Sequence, residues 1–256
     1  MSKKRSRKED FQVALNEFDD IKANKQRELM DLRFKVRAKF KNKKQKELSE
    51  VIKSNRITFV TGSPGSGKTF IALKTGLEML KDEESNIGDI LLTSPVIEVS
   101  PKSIGALPGT LDEKIMNYFQ HFYDNIDKLV GNETKKFLRA SGLVSEKIVN
   151  FMRGTTFGKY KEDGTPIGTY CILDEAQNLE INEIKTYLSR LGENSKMIIL
   201  GDPGQCDLRL RSGEKNGLED AVERLEGLDN IGFVHFTEDD IVRDPFLIDI
   251  MKRYID

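Results

Sequence analysis

The chain has 256 residues, 38% of them hydrophobic and 32% charged, which is enough apolar material for one large or two small domains and excludes a disordered polymer. No stretch approaches the roughly 18 apolar residues of a membrane span, and the opening Met-Ser-Lys-Lys-Arg-Ser-Arg-Lys leads into no apolar signal segment, so no membrane partner is expected and the cytoplasm is the expected location. Cys171 and Cys206, the two cysteines, lack the neighbours that a metal site or a disulfide framework needs.

Net charge is −1, yet residues 1–50 hold 16 Lys/Arg against 9 Asp/Glu, so the basic character is local. Within this segment Phe11, Leu15, Phe18, Leu29, Leu32 and Val36 fall at helical spacing, interrupted by Lys22 and Lys25. The pattern predicts a basic amphipathic helical arm over residues 1–40. An arm packed on its own or a neighbouring subunit is favoured over a dedicated nucleic-acid arm.

The apolar run Ile57-Thr-Phe-Val60 predicts the first strand, and Phe70-Ile-Ala-Leu73, Leu77 and Leu80 predict a helix. Between them lies Gly62-Ser63-Pro64-Gly65-Ser66-Gly67-Lys68-Thr69, a phosphate-binding loop of the form G-x-x-x-x-G-K-[ST]. Glycines let the backbone wrap phosphates with its N–H groups inward. Lys68 brings a charge to the β- and γ-phosphates, and the Thr69 hydroxyl is placed for Mg²⁺. The helix start adds its positive end. Residues 62–70, Phe70 included, are the candidate nucleotide-binding residues. A chance glycine turn is disfavoured by this strand-loop-helix context.

Short apolar runs at 89–93, 171–173 and 196–200 predict three further strands, and 231–236 a last one. Helical patterns at 112–130, 181–191 and 217–225 lie between them, and a C-terminal helix is expected around 245–254. Alternation of this kind predicts an α/β fold with a mainly parallel sheet flanked by helices. Residues 159–168, around Asp163-Gly164, read as a hairpin-like surface insertion.

The third strand delivers Asp174-Glu175. The first carboxylate suits a metal and the second suits the orientation or deprotonation of water; acidic helix caps are the bland alternative. The fourth strand delivers Gly201-Asp-Pro-Gly-Gln205, where Gln205 is placed to sense a γ-phosphate.

The motifs at 174–177 and 201–205 resemble the motor core of superfamily-one helicases, and more closely the PhoH family of ATPases. Further blocks stand in that family's order: 106–114, Arg153-Gly-Thr-Thr-Phe157, Asp174-Glu-Ala-Gln-Asn178, Leu188-Ser-Arg-Leu-Gly192, Gln205-Cys-Asp-Leu208 and Asp240-Ile-Val-Arg243. The resemblance covers roughly residues 41–256 and implies one RecA-like ATPase domain that assembles as a homo-oligomeric ring, a hexamer, with links to RNA unwinding. It implies ATP and Mg²⁺ as cofactors, held by Lys68, Thr69 and Asp174, with Glu175 activating water and Gln205 sensing the γ-phosphate. It makes Gln45 a reader of adenine, against the alternative of a surface glutamine. It also makes Arg243 and Arg190 donors of positive charge to the transition state, within the chain or across a subunit boundary. Where the family usually has Arg-Pro and Arg-Gly-Arg-Thr, this chain has Ser94-Pro95 and Arg153-Gly-Thr-Thr156, two positive charges fewer.

The expected function is an Mg²⁺-dependent ATPase coupling hydrolysis to unwinding or remodelling of RNA or single-stranded DNA. The alternative is an ATP-gated switch or scaffold that recruits a protein partner. A small-molecule kinase is disfavoured, because phosphate transfer to a small acceptor has less need of a water-activating Glu175 or a sensor such as Gln205.

Overall fold

The computed structural model describes residues 34–95, 111–152 and 154–242, except for the side chains of 111–115. In chain order the elements are α1 (Lys43–Ser54), β1 (Ile57–Gly62), α2 (Lys68–Lys81), β2 (Ile87–Ser94), α3 (Leu111–Val130), α4 (Asn132–Ala140) and β3 (Val144–Ile148). There follow β4 (Lys159–Tyr160), β5 (Pro166–Leu173), α5 (Ile181–Leu188), β6 (Lys196–Gly201), α6 (Gly217–Leu225) and β7 (Ile231–Phe236).

Six strands form a parallel sheet in the order β3-β2-β5-β6-β1-β7, and β4 pairs antiparallel with the start of β5. The apolar runs are uninterrupted because successive residues serve two cores. Val60, Ile90, Leu92, Tyr170, Ile172, Ile198 and Leu200 face one, with α1, α2 and α3 packed on it. Phe59, Leu91, Cys171, Leu173, Met197 and Ile199 face the other, under α5 and α6. Strands covered on both faces lose the polar alternation of a half-exposed sheet.

The expected fold, a mainly parallel sheet flanked by helices, is thus found. The hairpin around Asp163-Gly164 is also present: the Lys161 amide donates to the Thr165 carbonyl, and the Gly164 amide to the Lys161 carbonyl. Its second arm is the beginning of β5, so the excursion is an outward extension of a central strand.

Several elements differ from the sequence reading. Strand β3 and helix α4 were not anticipated, because Val144-Ser-Glu-Lys-Ile148 sits at the sheet edge with three of its five residues partly or fully exposed. Helix α5 stops at Leu188 rather than 191, since Arg190 and Leu191 donate to carbonyls only three residues back and close the end as a tight turn.

Residues 1–33 of the expected arm lie outside the described residues, as do the motif at 106–110, Arg153, Arg243 and the expected helix at 245–254. The described part of the arm, 34–40, carries no helix. It alternates instead: Phe34, Val36, Ala38 and Phe40 pack on the core while the residues between them are exposed. The Arg37 amide ties it to the Leu129 carbonyl at the end of α3 (2.7 Å). Among the described residues no helix is long and apolar enough to cross a membrane.

Candidate nucleotide site

The carboxyl ends of β1, β6 and β5 lie side by side, with Val60 opposite Leu200 and Leu173 opposite Ile199. Open α/β sheets present ligand sites at that edge. Here β1 ends in Gly62, whose φ of 127° and position permit no side chain: a Cβ would lie 2.0 Å from the Phe236 carbonyl oxygen of neighbouring β7. The chain then turns through Ser63, Pro64, Gly65 and Ser66 to Gly67, left-handed at φ 89°, which caps α2 without a side-chain hydrogen bond. Gly67 brings no capping side chain of its own to the start of α2, a 14-residue helix whose dipole favours an anion there.

The loop is braced from within and from outside. Lys68 Nζ donates to the carbonyls of Gly62 and Ser63, and Ser66 Oγ donates to the Ser63 carbonyl. The Val242 amide donates to the Gly65 carbonyl at 3.1 Å. Phe70, half-buried on the first turn of α2, packs against the core.

Gln45 is not at the surface; it is 2% exposed. Its Nε2 donates to the Ser66 carbonyl (3.0 Å) and its Oε1 accepts from the Lys41 amide (2.8 Å), so both ends of the amide are occupied within the chain.

Thr69 and Asp174 meet across one intervening strand, the Thr69 hydroxyl donating to Asp174 Oδ2 at 2.7 Å. Asp174 is 7% exposed. Its Oδ1 accepts from the Glu175 amide (3.0 Å), and His121 Nε2 on α3 lies 3.3 Å from Oδ2. Burial alone pushes this carboxyl up, but His121, the Thr69 hydroxyl and the Glu175 amide together outweigh it and hold the group below the ordinary aspartate range.

Glu175 sits in the left-handed region at φ 57°. Non-glycine residues held there cost of order 1–3 kcal/mol and cluster at functional sites. Burial first, and the Asp174 carboxylate second, push the Glu175 carboxyl above the ordinary glutamate range. Gln177 Nε2 donates to Glu175 Oε2 at 2.6 Å.

Gln177 is fully buried and joins this base to the loop after β6. Its Oε1 accepts from the Asp202 amide (3.0 Å), and its Nε2 also reaches the Gln205 carbonyl (3.3 Å). Asp202 caps the short turn Pro203–Gln205, on which Gln205 is exposed. The structure thus brings together the loop, Asp174, Glu175 and the Gln205 turn.

Arg190 lines a cleft of about 500 Å³ with Asn150, Met152, Glu183 and Tyr187, a lining that includes none of those residues, and its Nε is buried without a hydrogen-bond partner.

Two residues of the site escaped sequence reasoning. His121 is one of only two histidines in the chain, and its lying on a predicted crossover helix between a strand and the acidic strand was the one available signal. Gln177 was visible only as a letter in the motif, since its partners come from a different strand end.

The oxygen donors Thr69 Oγ1 and Asp174 Oδ2 fit a hard cation. Among the described residues no group of three or more His, Cys, Asp or Glu is arranged to hold a metal by itself. A hard cation of the Mg²⁺ kind takes few protein ligands where substrate phosphates supply the rest.

A parallel α/β sheet with a phosphate-binding loop after β1, and an acidic pair after a strand two places away, defines a RecA-like P-loop nucleotide-binding protein. The model of the family "PhoH-like protein" matches residues 37–255, and the chain belongs to that family. It is 36% identical over 210 residues to the PhoH-like protein of Bacillus subtilis (strain 168), covering 82% of this chain and 61% of that protein. It is 35% identical over 205 residues to Protein PhoH of Escherichia coli (strain K12), covering 79% and 54%. The chain therefore spans between about half and three fifths of the length of these curated relatives. Among solved structures, the Pif1 helicase from Candida albicans aligns over 84% of this chain and 44% of its own, at 14% identity and a TM-score of 0.39.

Proposed function

We propose that this chain is a magnesium-dependent ATPase of the PhoH type, acting in the cytoplasm as a ring-shaped homo-oligomer, a hexamer, that couples hydrolysis to remodelling of single-stranded RNA or DNA. The observation that carries the hydrolytic part is the convergence of Thr69, Asp174, Glu175 and the Gln205 turn, tied together by direct hydrogen bonds and by Gln177.

In this reading the loop amides and Lys68 bind the β- and γ-phosphates, and Thr69 and Asp174 hold the cation. When bound, magnesium neutralises charge on the phosphate oxygens as the γ-phosphoryl departs. Glu175 takes the proton of the attacking water, and burial, which holds its carboxyl above the ordinary glutamate range, makes it a stronger base than an exposed glutamate. Gln177 fixes one oxygen of that carboxylate. Gln205 contacts the γ-phosphate, and Gln177 links the base to its turn, so the fate of the phosphate is felt by the loop after β6.

The nucleotide is taken as ATP from the family resemblance. Arg243 and Arg190 are proposed to supply positive charge to the transition state, Arg190 from a cleft whose lining includes neither Thr69 nor Asp174. An arginine given in trans makes hydrolysis depend on assembly. The coupling to nucleic acid rests on the family resemblance.

The test is the ATPase rate of the full chain with and without RNA and DNA oligonucleotides, beside a mass measurement of the assembly with ATP. Mg²⁺-dependent hydrolysis by an oligomer, stimulated by a single strand, is expected. Hydrolysis indifferent to both nucleic acids would instead favour an ATP-gated scaffold, and no hydrolysis under any condition would overturn the reading.

A further inference from the structure

We propose that His121 is a positioning residue for the metal-site carboxylate: α3 holds its imidazole against Asp174 so that the carboxylate keeps one orientation when a divalent cation binds with nucleotide. The inference rests on the metal role proposed above for Thr69 and Asp174.

Helix α3 buries Phe119, Phe122, Tyr123, Ile126 and Leu129. His121 is not among them; its side chain is 44% exposed. With water available to it, the ring nevertheless lies against Phe122 (centroids 4.1 Å apart) and aims Nε2 at Asp174 Oδ2. A surface-seeking imidazole turned toward a buried carboxylate requires a cause, and Asp174 supplies it. A carboxylate that is 7% exposed needs donors on both oxygens.

Three donors meet Asp174. The Glu175 amide serves Oδ1, while the Thr69 hydroxyl and His121 share Oδ2. They are not equivalent once a cation is held: the Thr69 hydroxyl then meets the cation through an oxygen lone pair while its hydrogen still serves Oδ2. His121 is the side-chain donor on Oδ2 that has no part in ligating the cation. Partners of this kind, which orient a ligating group without touching the metal, are worth about 10–100-fold in metal affinity.

The support behind His121 is rigid. Two residues on, Tyr123 donates to Glu146 of β3, which also pairs with Arg139 of α4 (3.1 Å). The carboxyl end of α3 is tied at Leu129 to the strap carrying Arg37. The imidazole is thus carried by a helix fixed at two further points, which a positioning role requires.

Mn²⁺ serves as the probe, its affinity read by electron paramagnetic resonance on the full chain saturated with a non-hydrolysable ATP analogue. His121→Ala and His121→Phe are each expected to weaken Mn²⁺ binding about tenfold, with nucleotide affinity in the absence of metal unchanged. The phenylalanine keeps the ring against Phe122 and removes only the donor, so a purely packing role leaves it silent. His121→Gln, which retains an N–H, is expected to recover part of the loss. Wild-type Mn²⁺ affinity in His121→Phe overturns the proposal. Asp174→Asn separates the two claims. If it too binds Mn²⁺ normally, the metal site itself is wrong and this inference falls with it; if it alone is weakened, only the role of His121 is refuted.

Discussion

Gln177 donates from Nε2 to the Glu175 carboxylate at 2.6 Å, while the same amide accepts from the Asp202 backbone and reaches the Gln205 carbonyl. One buried side chain therefore holds both the proposed base and the turn carrying the proposed sensor. Gln177→Ala leaves the Asp202 amide and the Gln205 carbonyl without this partner, at a cost of about 1–3 kcal/mol in stability. It also frees Glu175 to move, and misplacement of a reacting group by about 1 Å costs on the order of 10²-fold in rate. We expect kcat to fall by one to two orders of magnitude in steady-state assays, with a modest loss in urea denaturation.

Gly62 is fixed by its neighbour strand. In Gly62→Ala the new methyl carbon meets the Phe236 carbonyl at 2.0 Å, with the backbone already at φ 127°. Strain and overpacking together are expected to cost about 3 kcal/mol or more, together with a loss of nucleotide binding. Gly164→Ala in the surface hairpin is the control: it has φ 80° but nothing within 4 Å, so about 1 kcal/mol is expected. Equal losses for the two in chemical denaturation would refute the packing account.

Gln45 braces the loop through Ser66 and is itself held by Lys41. Because both ends of its amide are occupied, Gln45→Ala is expected to raise KM for ATP and for GTP by a similar factor, as the loop loosens. A loss confined to ATP would assign the side chain to the base of the nucleotide instead.

The proton affinity of Glu175 predicts an acid limb. A base works only when ionised, so kcat/KM falls as pH drops through its pKa. Burial and Asp174 raise that value, which places the limb above the roughly 4.3 of an ordinary glutamate. The kcat/KM profile reports the free protein. In Gln177→Ala the N–H that favours the ionised form is gone, so the limb is expected to move to still higher pH. A shift to lower pH would contradict the assignment.

What was legible in the sequence was what is contiguous. The loop at 62–69, the doubly buried strands and the acidic pair at 174–175 each announce themselves within a few residues, because backbone geometry and two-sided burial dictate composition locally. The half-exposed edge strand β3 lacks that signature. Helix α1 was hidden by charge, its buried face reduced to Gln45, Leu48, Ser49 and Ile52. The extended strap at 34–40 read as helix because Val36 continues a spacing that tertiary packing overrides. His121 and Gln177 take their meaning from residues distant in the chain, 53 and 28 positions away, and no local pattern encodes such a meeting.

The central claim is that Glu175 is the base of a hydrolytic ATP site completed by Thr69 and Asp174. It is tested most directly by measuring ATP affinity and single-turnover hydrolysis side by side in Glu175→Gln. Binding close to that of the wild type is expected, with hydrolysis slowed by about 10²-fold or more. Hydrolysis at the wild-type rate would contradict it.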